Sequence, residues 1–217
     1  AHENSPFAGN GKQATAGFSM LEMMIVCAIT MIVAGITAVA WGPVQKQQRV
    51  TAAYNSTLTT LRRAHDQAAG DMRIYVVTFT APQTITVQQA GPASTTCQIP
   101  PTGAVLLTTV LPPDVSFQLE AGLPTSNTVA PTTPDALGNA AFAIDFDEPY
   151  TPGSNAICFN PDGTATDQLG NINSGVVYMG RTNDVYSARA ISLEGATGRI
   201  RGWRLYNVSG VKTWRAQ

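Results

Sequence analysis

Arg199 and Arg201 stand two residues apart, and Trp203 follows at the same interval. On a strand, that spacing puts all three side chains on one face. Two guanidiniums about 6 to 7 Å apart match the phosphate repeat of a nucleic-acid backbone. Tyr206 and Trp214 add aromatic surface nearby. The same arginines can instead pair with carboxylates of their own chain or contact a neighbouring protein. Charge segregation makes that a strong alternative: residues 74–180 hold eight acids and no Lys or Arg, whereas residues 181–217 hold six Arg and one Lys against Asp184 and Glu194. Salt separates the two, since phosphate binding weakens steeply with ionic strength and an internal pair does not.

Glu22 is the second group of interest. It heads an apolar run in which the 19 residues from Met23 to Trp41 carry no charge. A helix of that length spans a hydrocarbon core of about 30 Å. A carboxylate at the edge of such a segment is costly and calls for a cationic partner. No Lys or Arg lies one helical turn from Glu22, so the partner is expected from elsewhere. A secretory signal competes with a retained anchor: Lys12 precedes the run, and Ala38-Val39-Ala40 has the small-residue pattern of a cleavage site that would release a chain starting at Trp41. The run is long for a signal core, and such signals avoid acids at the position of Glu22.

Asp145, Asp147 and Glu148 form a small acidic cluster that a hard cation such as calcium could use. Strand alternation instead turns Asp145 and Asp147 outward for solubility. Neither a metal site nor a cofactor is assigned from it. His65, beside Asp66, is expected exposed or packed at a helix edge. The chain has no Gly-x-Ser-x-Gly, Walker loop, His-Glu-x-x-His or Cys-x-x-Cys, so an enzyme acting on a small-molecule substrate is not the expectation. Cys27 lies in the apolar run, and Cys97 and Cys158 lie beyond it. If the latter region is exported, those two can pair. A bridge closing about 60 residues contributes on the order of 4 kcal/mol. The alternative is two buried thiols.

The elements that must position these groups follow from periodicity. Gly42-Pro43 predicts a kink or short break in the apolar helix. Beyond it Val50, Tyr54, Leu58, Leu61, Ala64 and Ala68 recur at steps of three and four, with Lys46, Arg49, Arg62 and Arg63 on the other face. Gly70 reads as the C-cap. The period then falls to two, predicting strands over 74–80, 84–88, 105–111, 115–119, 142–146, 156–159, 176–179, 189–193, 199–206 and 211–214. Residues 120–140, rich in Pro, Thr and Ala, read as an exposed loop, and Asp162-Gly163 reads as a hairpin turn. The expected class is α+β: a long N-terminal helix, apolar then amphipathic, packed on one antiparallel sheet or two.

Gly17-Phe18-Ser19-Met20-Leu21-Glu22 before a long apolar helix resembles the N-terminus of type IV pilins and type II secretion pseudopilins. In the second half, "CFNPDGTATD" (158–167), "VVYM" (176–179) and "ARAISLEGATGRIRGWRL" (188–205) resemble the C-terminal signature of the GspH/FimT minor pseudopilins. Together the resemblance covers residues 17–69 and 156–205. It implies a leader (1–17) cut after Gly17 by a prepilin peptidase, with Phe18 becoming the N-methylated N-terminus. A transmembrane helix (18–42), an amphipathic helix (43–70) and a periplasmic β-rich domain (71–217) would follow. Glu22 would meet the terminal amine of a neighbouring subunit during filament assembly. The implied partners are other pilins or pseudopilins, the peptidase and the bacterial inner membrane. DNA is a further implied partner, because a Gly-Arg-x-Arg motif in some FimT-like minor pilins serves DNA uptake through residues placed like Arg199 and Arg201.

Overall fold

The computed structural model describes residues 18–91, 96–124, 134–138, 141–148 and 153–217. The chain divides into a unit ending at Val44 and a unit of Gln45–Gln217, and one helix, α1 (Met20–Asp71), contributes to both. Helical residues run through Gly42-Pro43, so of the expected kink or short break the helix shows no break there. Proline removes one N–H from the ladder, and long helical segments on both sides carry that single loss. In the first unit, Met20–Thr37 is an apolar stretch of 18 residues long enough to cross a membrane, and none of it is buried.

In the second unit α1 ends later than Gly70. Met72 adopts φ 53°, and the Arg73 N–H donates to Ala68 O at 3.1 Å, which closes a Schellman turn with Met72 as its left-handed residue. Gln67 and Tyr75 both donate to Asp71 Oδ2 at 2.7 Å, and these bonds hold the Asp71 carboxyl below its ordinary value.

Eleven strands follow among the described residues: β1 (Tyr75–Thr80), β2 (Thr84–Gln89), β3 (Val105–Val110), β4 (Ser116–Phe117), β5 (Ile144–Glu148), β6 (Ala156–Phe159), β7 (Ala165–Thr166), β8 (Ser174–Arg181), β9 (Asp184–Glu194), β10 (Arg199–Val208) and β11 (Val211–Ala216). The first sheet has the order β3-β2-β1-β6-β7. The second runs β11-β10-β9-β8-β4, with β5 also paired to β8, and every pairing is antiparallel. All ten expected strands are present. The periodicity missed the two-residue β7 and the first five residues of β9, which begins at Asp184. Asp162 and Gly163 do form the turn between β6 and β7: Gly163 has φ 86°, and Asp162 Oδ1 accepts from the Thr164 hydroxyl at 2.7 Å and from its N–H at 2.9 Å.

The expected stripe of α1 is the seam of the main core. Val50, Tyr54, Leu61, Ala64 and Ala68 are buried there and Leu58 packs against it, with Val77, Phe79 and Ile157 from the first sheet and Val177, Met179, Ile191 and Leu193 from the second. Lys46, Arg49, Arg62 and Arg63 face solvent. His65 packs at the helix edge, with its ring T-shaped to Phe159 at 5.7 Å. A second cluster on the other side of the first sheet contains Ile74, Val76, Ala156, Cys97 and Cys158. Cys97 and Cys158 are disulfide-bonded, with Cα atoms 5.9 Å apart.

The third cluster overturns one expectation. The face of the second sheet turned away from α1 buries Val176, Tyr178, Ala190, Leu205 and Trp214, and Leu119, Leu123 and Leu137 pack on it. The described parts of 120–140 are therefore a cover and not an exposed loop. Pro134 is buried, a short 3-10 turn spans Pro134–Ala136, and Trp214 Nε1 donates to Pro124 O at 2.8 Å. Residues 125–133 and 139–140 lie outside the described residues. The cover also corrects Asp145, which was expected to point outward. It is fully buried and accepts from the Gly153 N–H at 2.7 Å, because its face of β5 is not a solvent face. The side chains of Asp147 and Glu148 lie outside the description. Among the described residues, no group of three His, Cys, Asp or Glu is placed to hold a metal.

Candidate functional site

Two places combine charge with exposure. The first is the head of α1. Ser19 is the N-cap: its carbonyl accepts from the Met23 N–H at 3.1 Å and its hydroxyl from the Leu21 N–H at 3.3 Å. Glu22 falls three residues later, in the Ser-x-x-Glu spacing of a capping box, where the helix dipole favours negative charge. That local role was legible in the sequence but hidden behind the question of membrane insertion. Glu22 is exposed, and among the described residues no Lys, Arg or His lies within ion-pair distance of it. Phe18 is 76% exposed, and Gly17 lies outside the described residues.

The second place is β10. Its register against β9 pairs Arg201 with Ser192 and Trp203 with Ala190. Gly202 faces α1, since a Cβ there would collide with the Tyr54 hydroxyl. Arg199, Arg201 and Trp203 therefore share the opposite face, as their spacing predicts. They meet the cover there. Arg201 Nη1 lies 2.9 Å from Asp135 Oδ1, and Arg199 Nη2 lies 3.8 Å from the same oxygen. Arg199 Nε also lies 3.2 Å from Glu194 Oε2. The Ser192 hydroxyl donates to Asp135 Oδ2 and accepts from Trp203 Nε1, the latter at 2.8 Å. One carboxylate thus ties both arginines to the sheet through a serine and a tryptophan. The guanidiniums keep nearly half their side-chain surface exposed, 46% and 44%, whereas Asp135 keeps 15%.

A family model described as the prokaryotic N-terminal methylation motif matches residues 12–38. This is a prepilin-type N-terminus. The prepilin-type segment spans Gly17, Phe18 and Glu22 and stands at the head of a long helix whose second half packs on antiparallel sheets, the pilin-like arrangement expected above. No curated protein matches the chain in sequence. Among solved structures, the minor pseudopilin EpsH from the Type 2 Secretion System of Vibrio cholerae matches with 9% identity over 78% of this chain and 96% of that chain, at a TM-score of 0.31. That similarity is too low to carry residue roles across.

Proposed function

We propose that this chain is a minor pilin or pseudopilin: a structural and assembly subunit of a type II secretion pseudopilus or a type IV pilus. The observation that carries the reading is the methylation motif at the head of an apolar helix of membrane-spanning length. A prepilin peptidase would cut between Gly17 and Phe18. Residues 18–42 would cross the bacterial inner membrane once, and 43–70 with the sheets would lie in the periplasm. The Cys97–Cys158 bond fits an oxidising compartment. Glu22 is the docking group. A carboxylate taken into apolar surroundings needs a cation, and the amine of Phe18 on an adjacent subunit supplies one. Requiring that pair sets the axial register of one helix against the next.

Glu22→Gln keeps the size and removes the charge. The expected result is normal processing and membrane retention with filament incorporation reduced by tenfold or more, given that an unpaired buried charge costs about 3–5 kcal/mol. Undiminished incorporation would remove Glu22 from assembly.

A second reading, DNA capture during uptake, rests on the solvent-facing surface that Arg199 and Arg201 retain. In it Asp135 yields the guanidiniums to phosphates.

A further inference from the structure

A second arginine group lies on the face of the sheet turned toward α1. The register pairs Arg204 with Arg189 across β9 and with Arg215 across β11. Three arginines thus form one row across three strands, with neighbours about 5 Å apart. Like charges directly opposite one another destabilise a sheet. Among the described residues, no carboxylate lies within ion-pair distance of any of the three.

What surrounds the row does not neutralise it. Arg189 is 2% exposed and donates to the carbonyls of Ser187 and Ala188 at 3.1 and 3.0 Å. Burial first, and the Arg204 charge second, push its guanidinium down to about 10. Asp184, whose field reaches it, is already paired with Arg181 at 3.1 Å. The ring of Tyr206 lies under both Arg204 and Arg215, with guanidinium carbons 5.2 and 5.9 Å from its centroid. One side chain caps the row. The Gln47 amide, oriented with its oxygen inward, accepts from Arg189 Nη2 at 3.0 Å and from Arg204 Nη2 at 3.3 Å. A neutral amide oxygen occupies the point at which two guanidiniums converge, and Gln47 is exposed.

We propose that the Arg189–Arg204–Arg215 row is an oxyanion site for the phosphodiester headgroup of an anionic phospholipid, which displaces the Gln47 amide. Guanidinium forks match phosphate oxygens in pairs. The lipid source is favoured by the chain itself. Gln47 follows Thr37, the end of the membrane-length stretch, by only ten residues, and Lys46 stands beside it. A basic site tethered that close to an anchor meets headgroups at high local concentration. The inference rests on the membrane anchoring of the proposed function.

The test uses the full processed chain in neutral detergent. It is titrated with dihexanoyl phosphatidylglycerol, dihexanoyl phosphatidylcholine, inorganic phosphate and a short DNA duplex, and thermal unfolding is followed by tryptophan fluorescence. Phosphatidylglycerol is expected to raise the midpoint saturably and to do so less as salt increases. Phosphatidylcholine is expected to do nothing. In Arg204→Gln/Arg215→Gln the affinity should fall at least about tenfold, as the loss of two charge-assisted bonds requires. Arg63→Gln should bind normally. The double variant should fold, because it relieves like-charge contacts. Its ligand-free midpoint, at or above that of the unmodified protein, checks this.

No phosphatidylglycerol shift, or an equal shift in the double variant, would overturn the site. An equal shift from inorganic phosphate alone, or tighter binding of the duplex, would overturn the lipid assignment. Membrane retention and the start of the chain are measured on the same preparation. Failure of binding in a retained, processed protein sinks only this inference, whereas failure of retention sinks the anchoring.

Discussion

Strand β10 carries two arginine groups, and they differ in everything but residue type. Arg199 and Arg201 face the cover, where Asp135 pairs with both, and Glu194 of β9 pairs with Arg199 as well. Arg204, the residue after Trp203 and so on the opposite face, joins Arg189 and Arg215 in a row with no carboxylate within ion-pair distance among the described residues. The first group is tied down by carboxylates, whereas among the described residues the second meets only the Gln47 amide oxygen, backbone carbonyls and the Tyr206 ring. A dense run of arginines in a sequence does not say which of its members are available. The partner face decides.

The strongest way to break this comparison is to disturb the strand that separates the groups. Gly202 leaves room for the Tyr54 hydroxyl, so Gly202→Ala should destabilise the fold by about 1–3 kcal/mol through overpacking and shift both groups together. Chemical denaturation measures the loss, and an unchanged midpoint would mean that α1 does not press on β10 as described.

Asp135→Asn acts on the first group alone. It should cost about 1–2 kcal/mol, discounted because the arginines are nearly half exposed. If Arg199 and Arg201 capture DNA, the same change should also strengthen salt-sensitive binding of a duplex. Destabilisation without any gain in DNA affinity leaves them as structural residues.

The two double variants sharpen the contrast in sign. Arg199→Gln/Arg201→Gln should lose up to about 1 kcal/mol. Arg204→Gln/Arg215→Gln should gain a few tenths, about 0.5 kcal/mol at most, without ligand. Equal effects would erase the distinction.

The smallest effect is in alkali. Burial, and then the Arg204 charge, push the Arg189 guanidinium down from its ordinary value to about 10. Its charged form is thus disfavoured in the folded protein, and stability gains as pH rises above about 10 toward the ordinary arginine range. Arg189→Gln should remove that gain, seen as a smaller stability difference between about pH 8 and about pH 11 than in the unmodified protein.

Much of the fold was legible because it is periodic. The stripe from Val50 to Ala68 and the strand alternations name the two sides of the main core directly. The cover was not legible. Leu119, Leu123, Pro134 and Leu137 are separated by Pro, Thr and Ala with no repeat, so nothing in composition announces that they bury a sheet face. The same blind spot misread Asp145 as a surface residue and left Asp135 unnoticed as the partner of Arg199 and Arg201. Gly70 looked like the helix cap because glycine favours the left-handed turn, yet Met72 takes it. The arginine row could not be read at all. Residues 189, 204 and 215 have no sequence spacing in common, and only the register of three strands brings them together.

The most direct test of the account is the mass of the mature N-terminus, purified from membranes of a bacterium that has a prepilin peptidase. The account predicts a chain beginning at N-methylated Phe18, with Glu22 five residues in and the apolar helix retained. A chain beginning at Trp41, released in soluble form, would contradict it.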